Sequence, residues 1–119
     1  MNIIKFYGAE NCSTCVKAFK FLVNNRYAVD RVNIFETPPT KAELKQMLEY
    51  YQGNIRALFN TAGRVYQEEN WKDKIPLLTP EKAIDALSKN GRLVKRPFIL
   101  YKGGGLVGFD PKVWKPALL

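Results

Sequence analysis

The chain contains no histidine. That absence removes the imidazole base on which triad-type serine and cysteine hydrolases depend, and it removes histidine-ligated metal sites. Cysteine is scarce too: two residues cannot build a four-thiolate zinc site within one chain, so no metal is expected. No apolar run approaches the ~18 residues of a membrane span, and the opening Met1-Asn2-Ile3-Ile4-Lys5 lacks the long apolar stretch of a secretory signal. The expectation is a soluble cytoplasmic protein that does not engage membranes. In that compartment two cysteines speak against a disulfide scaffold and for reduced thiols or redox chemistry.

What is present is ordinary globular material. Over 119 residues, 46% are hydrophobic and 25% charged, which suits one domain spanning residues 1–119 and excludes a disordered chain. A chain of this length buries roughly two thirds of its unfolded surface and needs no staples to fold. Nineteen Lys and Arg against eleven Asp and Glu give a net charge of +8. The excess is spread along the chain, with one exception. Between Asp85 and Asp110 there is no acid, yet Lys89, Arg92, Lys95, Arg96 and Lys102 fall there. A solvated basic face and a surface for an anionic small substrate or acidic protein partner both account for this charge. An aromatic RNA-binding signature and a zinc finger are both missing, so direct sequence-specific nucleic-acid binding is not expected.

The order of elements follows from patterning. Asn2 to Tyr7 reads as a strand bounded by Gly8. Cys12 opens a helix in which Cys15, Ala18, Phe19, Leu22 and Arg26 share one face, with Val23 beside them. Val29 to Phe35 alternates as a second strand, and Thr37-Pro38-Pro39 breaks it. Thr40 begins a capping box with Glu43, and Leu44, Met47, Leu48 and Tyr51 form the stripe of a helix that Gly53 ends. Asn54 to Lys74 is the least periodic part and reads as short helices. Thr79-Pro80 starts a helix with Ala83, Ile84 and Leu87 inward and Gly91 at its stop. Pro97–Tyr101 and Gly105–Phe109 form a hairpin around Gly103-Gly104, and Asp110-Pro111 starts a last helix to about Leu118. The resulting β-α-β-α…α-β-β-α order predicts an α/β fold: a four-stranded mixed sheet flanked by helices, with a right-handed βαβ unit and a helical insertion at roughly 40–90 between its halves.

Cys12-Ser13-Thr14-Cys15 is the most informative tetrapeptide, because it follows the first strand and opens the first helix. Unpaired N–H groups and the macrodipole at a helix start favour a thiolate at Cys12, the candidate nucleophile. Cys15, one turn on, can attack a mixed disulfide formed at Cys12 and is the candidate resolving thiol. Packing as a small core residue beside Phe19 and Leu22 is the other reading of Cys15. Arg96-Pro97 is the second candidate site. A proline heading a strand cannot donate to the ladder and can be cis. Arg96 either presents a fixed cation to a sulfur anion, oxyanion or carboxylate, or is an exposed residue before a strand.

Taken together, these residues resemble the arsenate reductase (ArsC)/Spx family of thioredoxin-fold proteins over nearly the whole chain. The resemblance rests on Tyr7 with Cys12-Ser13-Thr14-Cys15 and Lys17-Ala18, on Asn33-Ile34-Phe35 with Pro38-Pro39, on Phe59-Asn60-Thr61-Ala62-Gly63, on Lys95-Arg96-Pro97 and on Val107-Gly108-Phe109. It implies a glutaredoxin-like sheet, a cis peptide at Pro97 and a redox-active Cys12, with Ser13, Thr14, Asn60 and Pro97 supporting the site. It also places Asn60 and roughly Gly108 where glutaredoxin-coupled reductases carry two of three oxyanion-binding arginines, leaving Arg96 alone, so arsenate is expected to be a poor substrate. The function implied is thiol-disulfide oxidoreduction with no bound cofactor and with glutathione, glutaredoxin or thioredoxin as electron donor. The cysteine pair also looks like that of Spx, which implies as alternative a redox-sensing regulator that contacts an RNA polymerase subunit.

Overall fold

The computed structural model describes residues 3–119. Strands β1 (Ile3–Gly8), β2 (Ala28–Asn33), β3 (Phe98–Tyr101) and β4 (Gly104–Val107) form one sheet in the order β2-β1-β3-β4. β1 runs parallel to β2 from Ile3↔Ala28 to Gly8↔Asn33 and antiparallel to β3, which pairs antiparallel with β4. Helices α1 (Ser13–Asn24), α2 (Lys41–Tyr50), α3 (Arg64–Glu68), α4 (Trp71–Lys74), α5 (Pro80–Lys89) and α6 (Pro111–Leu118) complete the expected α/β order. The anticipated start of β1 at Asn2 lies outside the described residues. Among those residues no helix is long and apolar enough to cross a membrane.

Alternation along the central strand divides the core in two. Ile4 and Phe6 face Cys15, Ala18, Leu22 and Trp114, under α1 and α6. Tyr7 faces the other way, toward Leu44, Met47, Leu58, Phe59, Ile84 and Leu87, under α2, α5 and the short helices between them. The segment that sequence periodicity describes least supplies Leu58, Phe59 and Tyr66 to this second core. It also forms an antiparallel bridge, Phe59↔Val94, flanked by Lys95 N donating to Leu58 O at 2.9 Å and Asn60 N donating to Leu93 O at 2.7 Å. That bridge holds the chain immediately before Arg96.

Several boundaries differ from the sequence expectation, each for a local reason. Arg26 is not on the face of α1, which ends at Asn24; Arg26 sits in the following turn at φ 64°. β2 stops at Asn33, not Phe35, because the Asn33 carboxamide accepts from Phe35 N at 2.9 Å and turns the chain. The hairpin turns on Lys102-Gly103, with Gly103 at φ 91°, so Gly104 belongs to β4 and Phe109 lies beyond it. Gly91 is not a left-handed helix stop. It begins a 3₁₀ turn, Gly91–Leu93, and it is glycine because a Cβ there would collide with the Ile34 carbonyl. The capping box at Thr40 and the Thr79-Pro80 start form as expected.

Glu43 ties α2 to the first strand. Its carboxylate accepts from Tyr7 Oη at 2.6 Å and from Thr40 N at 3.0 Å, and it pairs with Lys5 Nζ at 3.0 Å. Burial pushes the Glu43 carboxyl up, but these three donors outweigh it and hold the group below its ordinary value. A carboxyl whose folded pKa is depressed contributes stability that is present above the unfolded value and lost as pH falls through the folded one. Between about pH 5 and pH 3 the urea midpoint of the wild type should therefore fall more steeply than that of Glu43→Gln. Parallel curves would contradict the assignment.

Candidate active site

The cysteine pair is built at the carboxyl end of β1. Cys12 is the N-cap of α1 with extended backbone, and its Sγ accepts from Cys15 N at 3.2 Å. A sulfur thus occupies the place of a capping oxygen, next to the positive end of the helix. Cys12 is half-buried, whereas Cys15 is 3% exposed. Its sulfur lies against the end of the strand, where a Cβ on Gly8 would meet the Phe6 ring at 2.6 Å and Cys15 Sγ at 3.3 Å. Burial, followed by the hydrogen bond with Cys12, pushes the Cys15 thiol up to about 12; the Ala9 backbone and the Arg96 charge only partly counter this. The two cysteines are not joined to each other; Cys12 is partly accessible and Cys15 is buried.

Arg96 approaches from the other half of the sheet. Arg96-Pro97 is a cis peptide, and Phe98 pairs with Tyr7, which sets Pro97 level with Gly8 and hence with the Cys15 sulfur. Pro97 O accepts from Gly108 N at 2.8 Å. The guanidinium of Arg96 stands over the Phe35 ring, Cζ 5.1 Å from its centroid, and its Nη1 is sealed from solvent without a hydrogen-bond partner. Phe35, 38% exposed, is a residue of this neighbourhood that strand patterning misassigns, because only the Asx turn at Asn33 releases it from β2.

The remaining expected site residues are distributed unevenly. Ser13 is exposed and Thr14 half-buried on the first turn of α1. Asn60 follows the Phe59↔Val94 bridge, with its carboxamide against Gly63 in its own loop. The Lys95 side chain lies over Gly108, its Cε 3.1 Å from where a Cβ would stand. Beside the Cys12 loop a cleft of about 270 Å³ opens at the carboxyl ends of β1 and β2, lined by Phe6, Gly8, Ala9, Glu10, Arg31 and Asn33. Ends of parallel strands are where open α/β sheets take ligands. Among the described residues no three His, Cys, Asp or Glu side chains gather as a metal-binding group.

Known proteins resemble this chain in sequence and fold. The ArsC family model matches residues 7–117. The uncharacterized protein YusI of Bacillus subtilis (strain 168) is 34% identical over 106 residues, covering 89% of this chain and 90% of YusI. The global transcriptional regulator Spx of Streptococcus agalactiae is 27% identical over 108 residues, covering 91% of this chain and 77% of Spx. Among solved structures, a Bacteroides fragilis protein described as related to the ArsC family superposes with a TM-score of 0.88 at 37% identity, covering 95% of each chain. With a matched family model over nearly its whole length and a mixed thioredoxin-like sheet carrying the cysteine pair at its helix start, the chain belongs to the ArsC family.

Proposed function

We propose that this protein is a cytoplasmic thiol-disulfide oxidoreductase in which Cys12 is the nucleophile, Cys15 the resolving thiol and Arg96 the cation that orients an anionic substrate. The observation that carries this reading is the asymmetry of the pair: a half-buried sulfur at the N-cap of α1, and a buried thiol one turn behind it. The Cys12 thiolate attacks a disulfide R–S–S–R′, forming Cys12–S–S–R and expelling R′S⁻, which takes up a proton. Cys15 then loses its proton and attacks Cys12 Sγ, expelling RS⁻ and closing a Cys12–Cys15 disulfide. Two electrons have passed to the substrate. A dithiol such as thioredoxin or glutaredoxin, or two glutathione molecules, must return them. Ser13, Thr14 and Pro97 shape the rim, and Asn60 supports the loop that holds Val94 and the residues after it.

Turnover of a disulfide with glutathione, glutaredoxin and thioredoxin supplied in turn tests this reading, and failure with all three would reject it. Arsenate should be turned over poorly. Asn60 and Gly108 supply no guanidinium, and each missing charged contact to a divalent anion costs about 1.5–3 kcal/mol. A kcat/KM for arsenate of roughly 10⁴ M⁻¹s⁻¹ or more would contradict that expectation. The similarity to Spx supports a second reading, a redox sensor that docks on an RNA polymerase subunit. Co-purification with polymerase, lost on oxidation of the pair, distinguishes it from an enzyme.

A further inference from the structure

Arg92 has no part in the chemistry assigned to Cys12, Cys15 and Arg96, yet the fold brings it to the same ring. Gly91 packs so tightly on the Ile34 carbonyl that the turn Gly91–Leu93 lies across the end of β2. Asn90 Oδ1 accepts from Arg92 N at 3.0 Å and steadies that turn. Phe35 consequently carries two guanidinium groups, with Arg92 Cζ 4.5 Å and Arg96 Cζ 5.1 Å from its centroid. Among the described residues neither arginine forms an ion pair, and Glu36, next to Phe35 in the chain, pairs with neither. Two unpaired cations beside one ring raise the local positive potential, and a bound anion lowers that cost. Pro97, next to Arg96, stands level with Gly8 and with the Cys15 sulfur beside it, so the chain carries Arg96 to the same end of the sheet as the cysteine pair.

Resting on the oxidoreductase reading, we propose that Arg92 is a specificity residue: with Arg96, beside Phe35, it binds the carboxylate of an acidic small-molecule thiol or disulfide whose sulfur meets Cys12. Guanidinium groups suit this task because each offers a planar pair of donors to a carboxylate. Uncharged disulfides gain nothing from Arg92, so the pair of arginines selects on charge some distance from the bond that is exchanged. The acid-free interval after Asp85 then has a purpose, since a neighbouring carboxylate would occupy the arginines in place of the ligand.

Calorimetric titration of the full chain carrying Cys12→Ser, which cannot exchange, provides the test. Glutathione disulfide is the acidic probe and 2-hydroxyethyl disulfide the uncharged one. Adding Arg92→Ala should weaken glutathione disulfide by roughly tenfold or more and move 2-hydroxyethyl disulfide by less than about twofold. Arg92→Lys should recover part of the loss, and added salt should shrink the difference. Equal weakening of both probes, no weakening of either, or glutathione disulfide binding no tighter than the uncharged probe with Arg92 intact would overturn the proposal. If binding follows Arg92 while wild type turns over no disulfide with any donor, the oxidoreductase reading falls and the carboxylate site stands.

Discussion

Replacing Cys12 by serine is expected to reduce disulfide turnover by at least about 10³-fold, because a hydroxyl at neutral pH offers neither the anion nor the leaving group that exchange requires. Cys15→Ser should behave differently. Cys12 still attacks, but the mixed disulfide has no internal thiol to release it, and it accumulates. With glutathione disulfide as substrate, mass spectrometry should show an adduct of about 305 Da on Cys15→Ser, whereas oxidised wild type should lose about 2 Da for the internal disulfide. Finding only the adduct on wild type would return Cys15 to a packing role. The resolving step should also be strongly pH-dependent. Burial is the largest cause of the raised Cys15 thiol and persists after Cys12 has reacted, while the contribution of the Cys12 sulfur disappears with its charge. With the thiol still held up by burial, only a small fraction is thiolate at pH 7, and that fraction grows tenfold per pH unit. Single-turnover release from the glutathione adduct should therefore accelerate steadily from about pH 6 to pH 9. A plateau below pH 8 would show that another group controls the step.

Gly91→Ala should be the most damaging small substitution away from the cysteines. The added methyl group has no space beside the Ile34 carbonyl, and Ile34 itself is fully buried. Relief would require moving the end of β2 or the turn before Val94, and both are held by backbone hydrogen bonds: Ile34 N to Gly8 O at 3.0 Å and Val94 N to Gly91 O at 3.2 Å. The loss should reach about 3 kcal/mol, a drop of roughly 10–15 °C in Tm for a chain of this size, measured by circular dichroism. Gly103→Ala is the control. Nothing lies within 4 Å of its Cβ, so only its positive φ opposes the change, at about 1 kcal/mol. A Gly91→Ala protein melting within about 2 °C of wild type would disprove the steric argument.

Much of this molecule follows from local chemistry alone. The Thr40–Glu43 box, the Thr79-Pro80 and Asp110-Pro111 starts and the 3.6-residue stripes of α2 and α5 are short-range signals, and each element forms where those signals place it. The redox pair is legible for the same reason, since a strand, a loop and a helix start fall within fifteen residues and set Cys12 at the N-cap. The contacts that complete the site join residues far apart in the chain, and no local pattern encodes them. The irregular segment after Gly53 pairs Phe59 with Val94, Gly91 seats against Ile34, and these together carry Arg92 and Arg96 to Phe35. Sequence alone determined which residues could do thiol chemistry and which helices would bear them. Tertiary packing decided which thiol is buried and where the unpaired cations stand, because burial and charge proximity depend on distances that only the closed chain defines.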